Sequence, residues 1–464
     1  MVFSSVAFLF YFLPIAILLS CVVPMRFKNL VLALTGLVFY AWGEPVYVIV
    51  LIVTSVINYI AGLLMSKSEQ RRKLILIISI VCDLAILFVF KYTSFAVTTI
   101  NSVFSISIPD PNLPLPIGIS FFTFQSMSYT IDVYRGTSKP QRNFITFFAY
   151  IAMFPQIVAG PIVKYQDVEE QLENRTITLA KLSEGITVFV VGLAKKVLLA
   201  NNIGTIWTEI KAMDYTEMPV LTAWVGIIAF TFQIYFDFSG YSDMAIGLGK
   251  MLGFDFTENF NLPYLSKSVS EFWRRWHISL GSWFREYVYF PLGGSRGGKL
   301  KTVRNLLIVW MLTGLWHGAS WNFVLWGLWF GVLIVVEHLG FSKILKKIPK
   351  AFSWIYTMLA VVIGWVFFET GSLSLGVQYL SAMFGSGGSI ITSSSAAILS
   401  EAAIPLALCL FFSSGATGNY IARLGGKDSK VVMAITPVAT AALLIACTAY
   451  LVNSSYNPFL YFNF

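Results

Sequence analysis

Three histidines occur in 464 residues, and two of them stand inside aromatic, apolar stretches. His317 lies in VWMLTGLWHGASWNFVLWGLWF, between Trp316 and Gly318 and near Trp310, Trp321, Trp326 and Trp329. His277 lies in EFWRRWHISLGSWFREYVYFPLGG, residues 271–294, beside Trp273 and Trp276. An imidazole titrates near neutral pH, so either residue suits proton transfer; a hydrogen-bonded core group and a metal ligand are the other uses. A metal centre asks for three ligands or more. Glu337 and His338 are too far along the chain to join readily, so no metal is expected, and His338 reads as a span-end residue.

The elements that must carry the two imidazoles follow from spacing. A helix over 303–322 puts Trp310, Gly314, His317 and Trp321 on one face, with Gly314 leaving room one turn before the imidazole. Two indoles would then wall a slot for a thin, flat or linear group. A helix over 271–290 puts Phe272, Trp276, Trp283 and Tyr287 on one stripe and Trp273, His277 and Phe284 on the next. Glu271, Arg274, Arg275 and Arg285 would be costly against lipid, so this helix belongs inside a bundle or at an interface. The loop 291–304 joins the two, with His277 14 residues before it and His317 13 after it. Antiparallel helices rising from that loop would bring both imidazoles to one depth, about 20 Å at the helical rise. There they could take a proton from a hydroxyl whose oxygen attacks a thioester. The competing reading is two hydrogen-bonded core histidines.

What surrounds these elements is set by composition. Only 12% of the chain is charged and 57% is hydrophobic, against about 25% charged in soluble proteins, so an all-α polytopic membrane protein is expected. Apolar runs at about 4–24, 29–43, 46–65, 73–90, 143–160, 180–200, 219–236, 303–316, 320–337, 350–369, 396–413 and 431–452 suggest around eleven transmembrane helices, some tilted or re-entrant. Residues 1–464 read as one membrane domain. A net charge of +9 in a soluble chain would raise nucleic acid; here basic loops facing anionic headgroups account for it, and no nucleic-acid partner is expected. RFK after the first run and KSEQRRK after the third should be cytoplasmic, which puts the N terminus outside. The loop with Arg296, Lys299, Lys301 and Arg304, which has no acid, should be cytoplasmic too. Cys21, Cys82, Cys409 and Cys447 sit in apolar runs without paired spacing, so neither a disulfide framework nor a zinc site is expected. The first run lacks a basic leader and a cleavage site and reads as a retained span.

Three segments break the plain-helix pattern: 109–136, with four prolines and then Gln125, Asp132 and Arg135; 235–256, with Asp237 and Asp243; and 271–294. Polar or irregular backbone at membrane depth is tolerated only where protein buries it or it lines a cavity. The three together predict a bundle around an internal polar site, to which Gln125, Trp276 and Asp237 would contribute. Alternatively, Asp237 and Asp243 pair with Arg274, Arg275 or Arg285 and only hold the bundle together.

The stretches LPIGISFFTFQSMSYTIDVYRG, YIAMFPQIVAGPIVKY, YFDFSGYSDMAIGLGKMLGFDF, ENFNLPYLSKSVSEFWRRWHISLGSWFREYVYFPLGGSRGG, NLLIVWMLTGLWHGASWNFVLWG and NPFLYFNF resemble the membrane-bound O-acyltransferase family, in the branch of alginate O-acetyltransferases and related bacterial polysaccharide acetylation proteins. The resemblance runs nearly end to end. It implies a ring of helices around a central funnel or tunnel in the bacterial plasma membrane, with the family's near-invariant histidine at His317 and its second at His277. It further implies no permanently bound cofactor. The acyl group would come from a cytoplasmic acetyl-CoA or acyl-carrier-protein thioester, which Arg296, Lys299, Lys301 and Arg304 could attract. It would cross the membrane to an extracytoplasmic partner protein and a polysaccharide acceptor. Two other classes compete: a transporter, which should show an inverted repeat that is not apparent here, and a scaffold subunit of an envelope-modification complex without chemistry of its own.

Overall fold

The computed structural model describes residues 1–158, 160–424, 426, 429–453, 456–458 and 460; of the terminal NPFLYFNF, Asn457, Pro458 and Leu460 fall within this set. Among the described residues every regular element is helical. In a bilayer this is the economical solution, because a helix satisfies its backbone polar groups internally.

Among the described residues eight helices are long and apolar enough to span a membrane: Val48–Lys67, Arg72–Phe104, Leu179–Lys211, Val220–Met251, Trp321–Leu345, Lys350–Glu369, Ser393–Ser413 and Lys430–Asn453, with a shorter apolar helix at Phe8–Val22. The gap from the expected eleven has identifiable causes. The run 143–160 is divided by Ala152 and Met153 into two short helices, Phe144–Ile151 and Phe154–Ile157. Met25–Gly43 and Lys299–His317 are helices of 19 residues whose first turns carry Arg26 and Lys28, or Lys299, Lys301 and Arg304, and neither is among the eight.

Two of the three segments expected to be irregular are more regular than that. The 109–136 stretch is non-helical only through its prolines; Gly118, at φ +74°, starts a helix that runs Ile119–Arg135. The 235–256 stretch is helical as far as Met251, as the end of the single 32-residue helix Val220–Met251. Its glycines serve close packing: a Cβ on Gly240 would lie 2.7 Å from the Gly192 carbonyl, and one on Gly247 would lie 2.6 Å from that of Gly185.

The chain divides into two compact units, 1–189 with 241–257, and 190–240 with 258–464. Within the first, Asn58 is the centre of a buried polar cluster. It donates to Asp83 at 2.8 Å and accepts from the hydroxyls of Ser79 at 3.1 Å and Thr130 at 2.5 Å. Gln125, fully buried on Ile119–Arg135, and half-buried Asp243 belong to this unit. The second unit contains both buried histidines, and its core is dense in aromatic rings: Trp326 and Trp365 are its largest fully buried side chains.

Candidate functional site

The segment that carries His277 is two short helices set end to end, where one continuous helix was expected. The first, Val269–Arg275, is fixed at its start. Ser268 accepts from the Glu271 amide at 3.0 Å, and the Glu271 carboxylate turns back to the Lys267 amide at 3.0 Å, the reciprocal logic of a capping box. A second carboxylate, that of buried Glu337, accepts from the amides of Val269 at 2.7 Å and Ser270 at 2.9 Å. An anion there satisfies two free N–H groups and complements the helix dipole. Sequence reasoning considered Glu337 only as a metal ligand. Its actual partners lie 67 and 68 residues away in sequence, so no local pattern announces them. His338 beside it is exposed.

The helix stops because Trp276 turns extended and His277 enters the left-handed region at φ 47°, ψ 54°. Such a conformation costs a non-glycine residue on the order of 1–3 kcal/mol and persists where the surroundings hold it. Here the irregular segment after Glu258 holds it. Asn261 N donates to the Arg275 carbonyl at 2.9 Å and Ile278 N to the Asn259 carbonyl at 3.0 Å. The chain resumes as Ile278–Phe284 and a π-helical turn, Arg285–Tyr289.

His277 is 1% exposed. Its Nδ1 is 3.3 Å from Asn259 Oδ1 and 3.5 Å from Ser279 Oγ; the same Asn259 oxygen accepts from the Ser279 hydroxyl at 2.9 Å and amide at 3.1 Å. A side-chain amide oxygen only accepts, so the contact assigns the proton to Nδ1 and leaves Nε2 as the basic nitrogen. Phe238 packs edge-on against the imidazole at 4.7 Å between ring centres.

His317 is the last residue of Lys299–His317, which ends as Gly318 turns extended. The helix expected over 303–322 therefore stops at His317. Trp321 begins the next helix, Trp321–Val336, and is 56% exposed, so it does not wall a slot beside His317. The rings around His317 are Trp316, Trp326 and Phe368, at 4.8, 4.9 and 5.4 Å, each near perpendicular. Gly314 does not leave room for the imidazole either. A Cβ there would strike the Phe323 carbonyl and lie 3.3 Å from the Gly327 Cα, while one on Gly327 would strike the Trp310 carbonyl. The two glycines let adjacent helices touch backbone to backbone, the small-residue packing common between membrane helices.

The structure nonetheless brings the two histidines together. Trp316 packs against both, 6.0 Å from His277 and 4.8 Å from His317 by ring centres, so the imidazoles are within about 11 Å of each other. They meet through a kink and a helix end, where sequence counting had used two straight helices.

A cavity of about 520 Å³ opens on the His277 side. Its inner wall is His277, Trp273, Trp310 and Thr313, and its lining continues to Arg274 and Arg285, both exposed. Trp310 is thus a lining residue, packed against Trp273 at 4.7 Å. Neither Gly314, Trp276 nor His317 is part of the lining. Trp276 is instead a core residue, 5.0 Å from Trp365 and 5.1 Å from Phe260. Asp237 is also elsewhere. It pairs with Lys196 at 2.7 Å, and not with Arg274, Arg275 or Arg285; Arg275 pairs with Glu271 at 2.9 Å. Arg296, on the loop, and Lys299, Lys301 and Arg304, on the first two turns of the helix Lys299–His317, are all exposed, and none lines the cavity. Arg304 is turned to the Asn305 side-chain oxygen at 2.8 Å, and Asn305 fixes the loop through the carbonyls of Leu292 at 3.1 Å and Gly294 at 2.9 Å. Among the described residues no group of three or more His, Cys, Asp or Glu side chains is arranged to hold a metal.

Comparison with known proteins gives these features a context. Residues 139–381 match the MBOAT, membrane-bound O-acyltransferase family. The chain is 38% identical to the probable alginate O-acetylase AlgI of Azotobacter vinelandii, with 100% of each chain covered. It is 44% identical to the protein of that name from Pseudomonas syringae pv. tomato, over 83% of this chain and 76% of the relative. It is 32% identical to the peptidoglycan O-acetyltransferase of Helicobacter pylori, over 84% and 80%. The matched region contains both buried histidines and the whole lining of the cavity.

Proposed function

The chain belongs to the membrane-bound O-acyltransferase family and is a multi-pass membrane O-acetyltransferase, and from that premise we propose that it draws an acetyl group from a cytoplasmic thioester and passes it across the bacterial inner membrane for O-acetylation of a cell-envelope or secreted polysaccharide. The observation that carries this reading is the pair of buried imidazoles that both pack against Trp316, one of them at the inner wall of a cavity with two cationic side chains on its exposed side.

The chemistry needs no group beyond these. The thioester carbonyl sits against His277, and an acceptor hydroxyl approaches His317. As the hydroxyl oxygen forms its bond to the carbonyl carbon, His317 takes the hydroxyl proton. The carbon–sulfur bond breaks, and the proton taken by His317 is passed to the leaving thiolate by way of His277 Nε2, which accepts it and then donates it, giving an ester and a thiol and returning both imidazoles to the neutral form. Asn259 holds the His277 tautomer that presents Nε2. General acid–base help of this kind is worth about 10²–10⁴-fold. A protein partner on the extracytoplasmic side would hand the acetyl group on to the polymer. Basic loops set the orientation, with the N terminus outside and 291–304 in the cytoplasm.

Sidedness tests this reading. In membrane vesicles with the cytoplasmic face outward, labelled acetyl-CoA added outside is expected to label polysaccharide or a partner protein enclosed within. Vesicles of the opposite orientation should transfer none without permeabilisation. Equal labelling in both orientations would sink the cross-membrane route.

A further inference from the structure

The donor-facing charge expected from the sequence sits on the loop 291–304, yet the cavity that reaches His277 has its own cations. Arg274 and Arg285 both line it, and no Asp or Glu is among its lining residues. Arg274 makes no ion pair among the described residues. The ion pair Arg285 makes is with neighbouring Glu286 at 4.0 Å, a carboxylate that accepts from the Ser282 hydroxyl at 3.1 Å. The nearby Arg275 differs: Glu271 neutralises it at 2.9 Å, and it donates to the Asn261 carbonyl at 3.3 Å. Arg274 also borders an adjoining cavity of about 480 Å³ with Asn261, Glu271, Arg275 and Ile278.

The lining therefore has a polarity. Inside are two indoles, the imidazole and Thr313; outside are two guanidiniums, one from the helix Val269–Arg275 and one from the π-helical turn Arg285–Tyr289, and the helix that joins these in sequence, Ile278–Phe284, adds Gly281 to the lining. A Cβ built on Gly281 would meet only the Trp273 carbonyl, at 3.8 Å, so the space beside this exposed glycine of the lining is open. Such a site fits a ligand with an anionic head and a thin, uncharged arm. Guanidinium groups are the side chains best suited to phosphate, which they bind bidentately.

Resting on the acyl-transfer reading, we propose that Arg274 and Arg285 clamp the phosphate of a phosphopantetheine thioester, so that the uncharged pantetheine arm extends past Gly281 and delivers the acyl carbon to His277. The phosphate is common to coenzyme A and to the prosthetic arm of a carrier protein, and the clamp sets the distance from it to the reacting carbon.

The test uses the full-length protein in detergent. Equilibrium dialysis gives dissociation constants for coenzyme A, 4′-phosphopantetheine and pantetheine, with wild type beside Arg274→Gln, Arg285→Gln and, as a surface-charge control, Lys347→Gln. Acetyl transfer is followed in the same samples. Each arginine variant is expected to bind coenzyme A and 4′-phosphopantetheine about 10- to 100-fold more weakly, the range for a hydrogen bond to a charged group. Pantetheine binding and the control should be unchanged. A loss confined to coenzyme A would put the arginines on its nucleotide phosphates and overturn the clamp on the pantetheine phosphate. Unchanged binding of both phosphorylated ligands, or an equal loss with pantetheine, would overturn the proposal. Wild-type protein that binds coenzyme A through these arginines but transfers no acetyl group would leave the clamp standing and count against the acyl-transfer reading.

Discussion

Replacing His317 with alanine is expected to lower acetyl transfer by about 10²–10⁴-fold, the usual worth of a positioned acid–base group, while donor binding stays near the wild-type level. The second half of that expectation follows from the geometry. His317 is not part of the cavity lining, and the side chains that meet an incoming donor are His277, Trp273 and Trp310 with Arg274 and Arg285 outside them. Its loss should therefore appear in turnover and not in donor affinity. His317 is also packed by Trp316, Trp326 and Phe368, so alanine leaves a void, and His317→Gln keeps most of the volume without the base. Both variants should share the catalytic defect, and only alanine should lose appreciable stability. If His317→Gln transferred acetyl groups as fast as wild type, the assignment of His317 as base would fail.

The second large effect concerns Lys196 and Asp237. Their side chains are 1% and 3% exposed and meet at 2.7 Å. Lys196 also donates to Asn201 Oδ1 at 2.8 Å and to the Pro458 carbonyl, and the second Asp237 oxygen accepts from the Leu460 amide at 3.0 Å. The pair thus pins the described end of the chain to the helices Leu179–Lys211 and Val220–Met251. Removing one partner strands a charge in a low-dielectric interior, which costs about 3–5 kcal/mol, whereas replacing both with apolar side chains of similar size is often neutral. Lys196→Met and Asp237→Leu should each lower the thermal midpoint of the purified protein markedly, and the double variant should regain most of the loss. Single variants as stable as wild type would show that the pair contributes nothing to the fold.

Much of this arrangement is legible in the sequence, and what is not has physical reasons. The helical, multi-pass character follows from composition and run length, and the span Lys350–Glu369 coincides with the apolar run 350–369. Two histidines in tryptophan-rich surroundings identify the residues that the fold gathers around Trp316. The details of how they meet are set by non-local bonds. The stop at Trp276 and His277 depends on pairing with Asn259 and Asn261, some 14–20 residues earlier in the chain. A helical wheel cannot include such a break, so it placed Trp276 on the wrong surface. It likewise carried the helix past His317 to Trp321, when Gly318 ends it. Gly314 was recognised as special for the wrong neighbour, because its contact, Gly327, is 13 residues on and on another helix. Asp237 looked like a site residue because intramembrane carboxylates commonly are; its partner, Lys196, lies 41 positions earlier, in a run that reads simply as apolar. Arg274 and Arg285 were seen as partners for acids, and their place on the cavity could be found only once the segment was known to bend.

The central claim is that His277 and His317 act on one reacting centre, and a double-variant cycle tests it most directly. Groups that act as a unit show strongly non-additive losses. Transfer from labelled acetyl-CoA is measured for wild type, His277→Ala, His317→Ala and the double variant, each with thermal unfolding as a check on folding. The account predicts that both single variants lose activity and that the double variant is scarcely slower than His317→Ala alone. Losses that multiply in the double variant, or single variants that transfer at the wild-type rate, would contradict it.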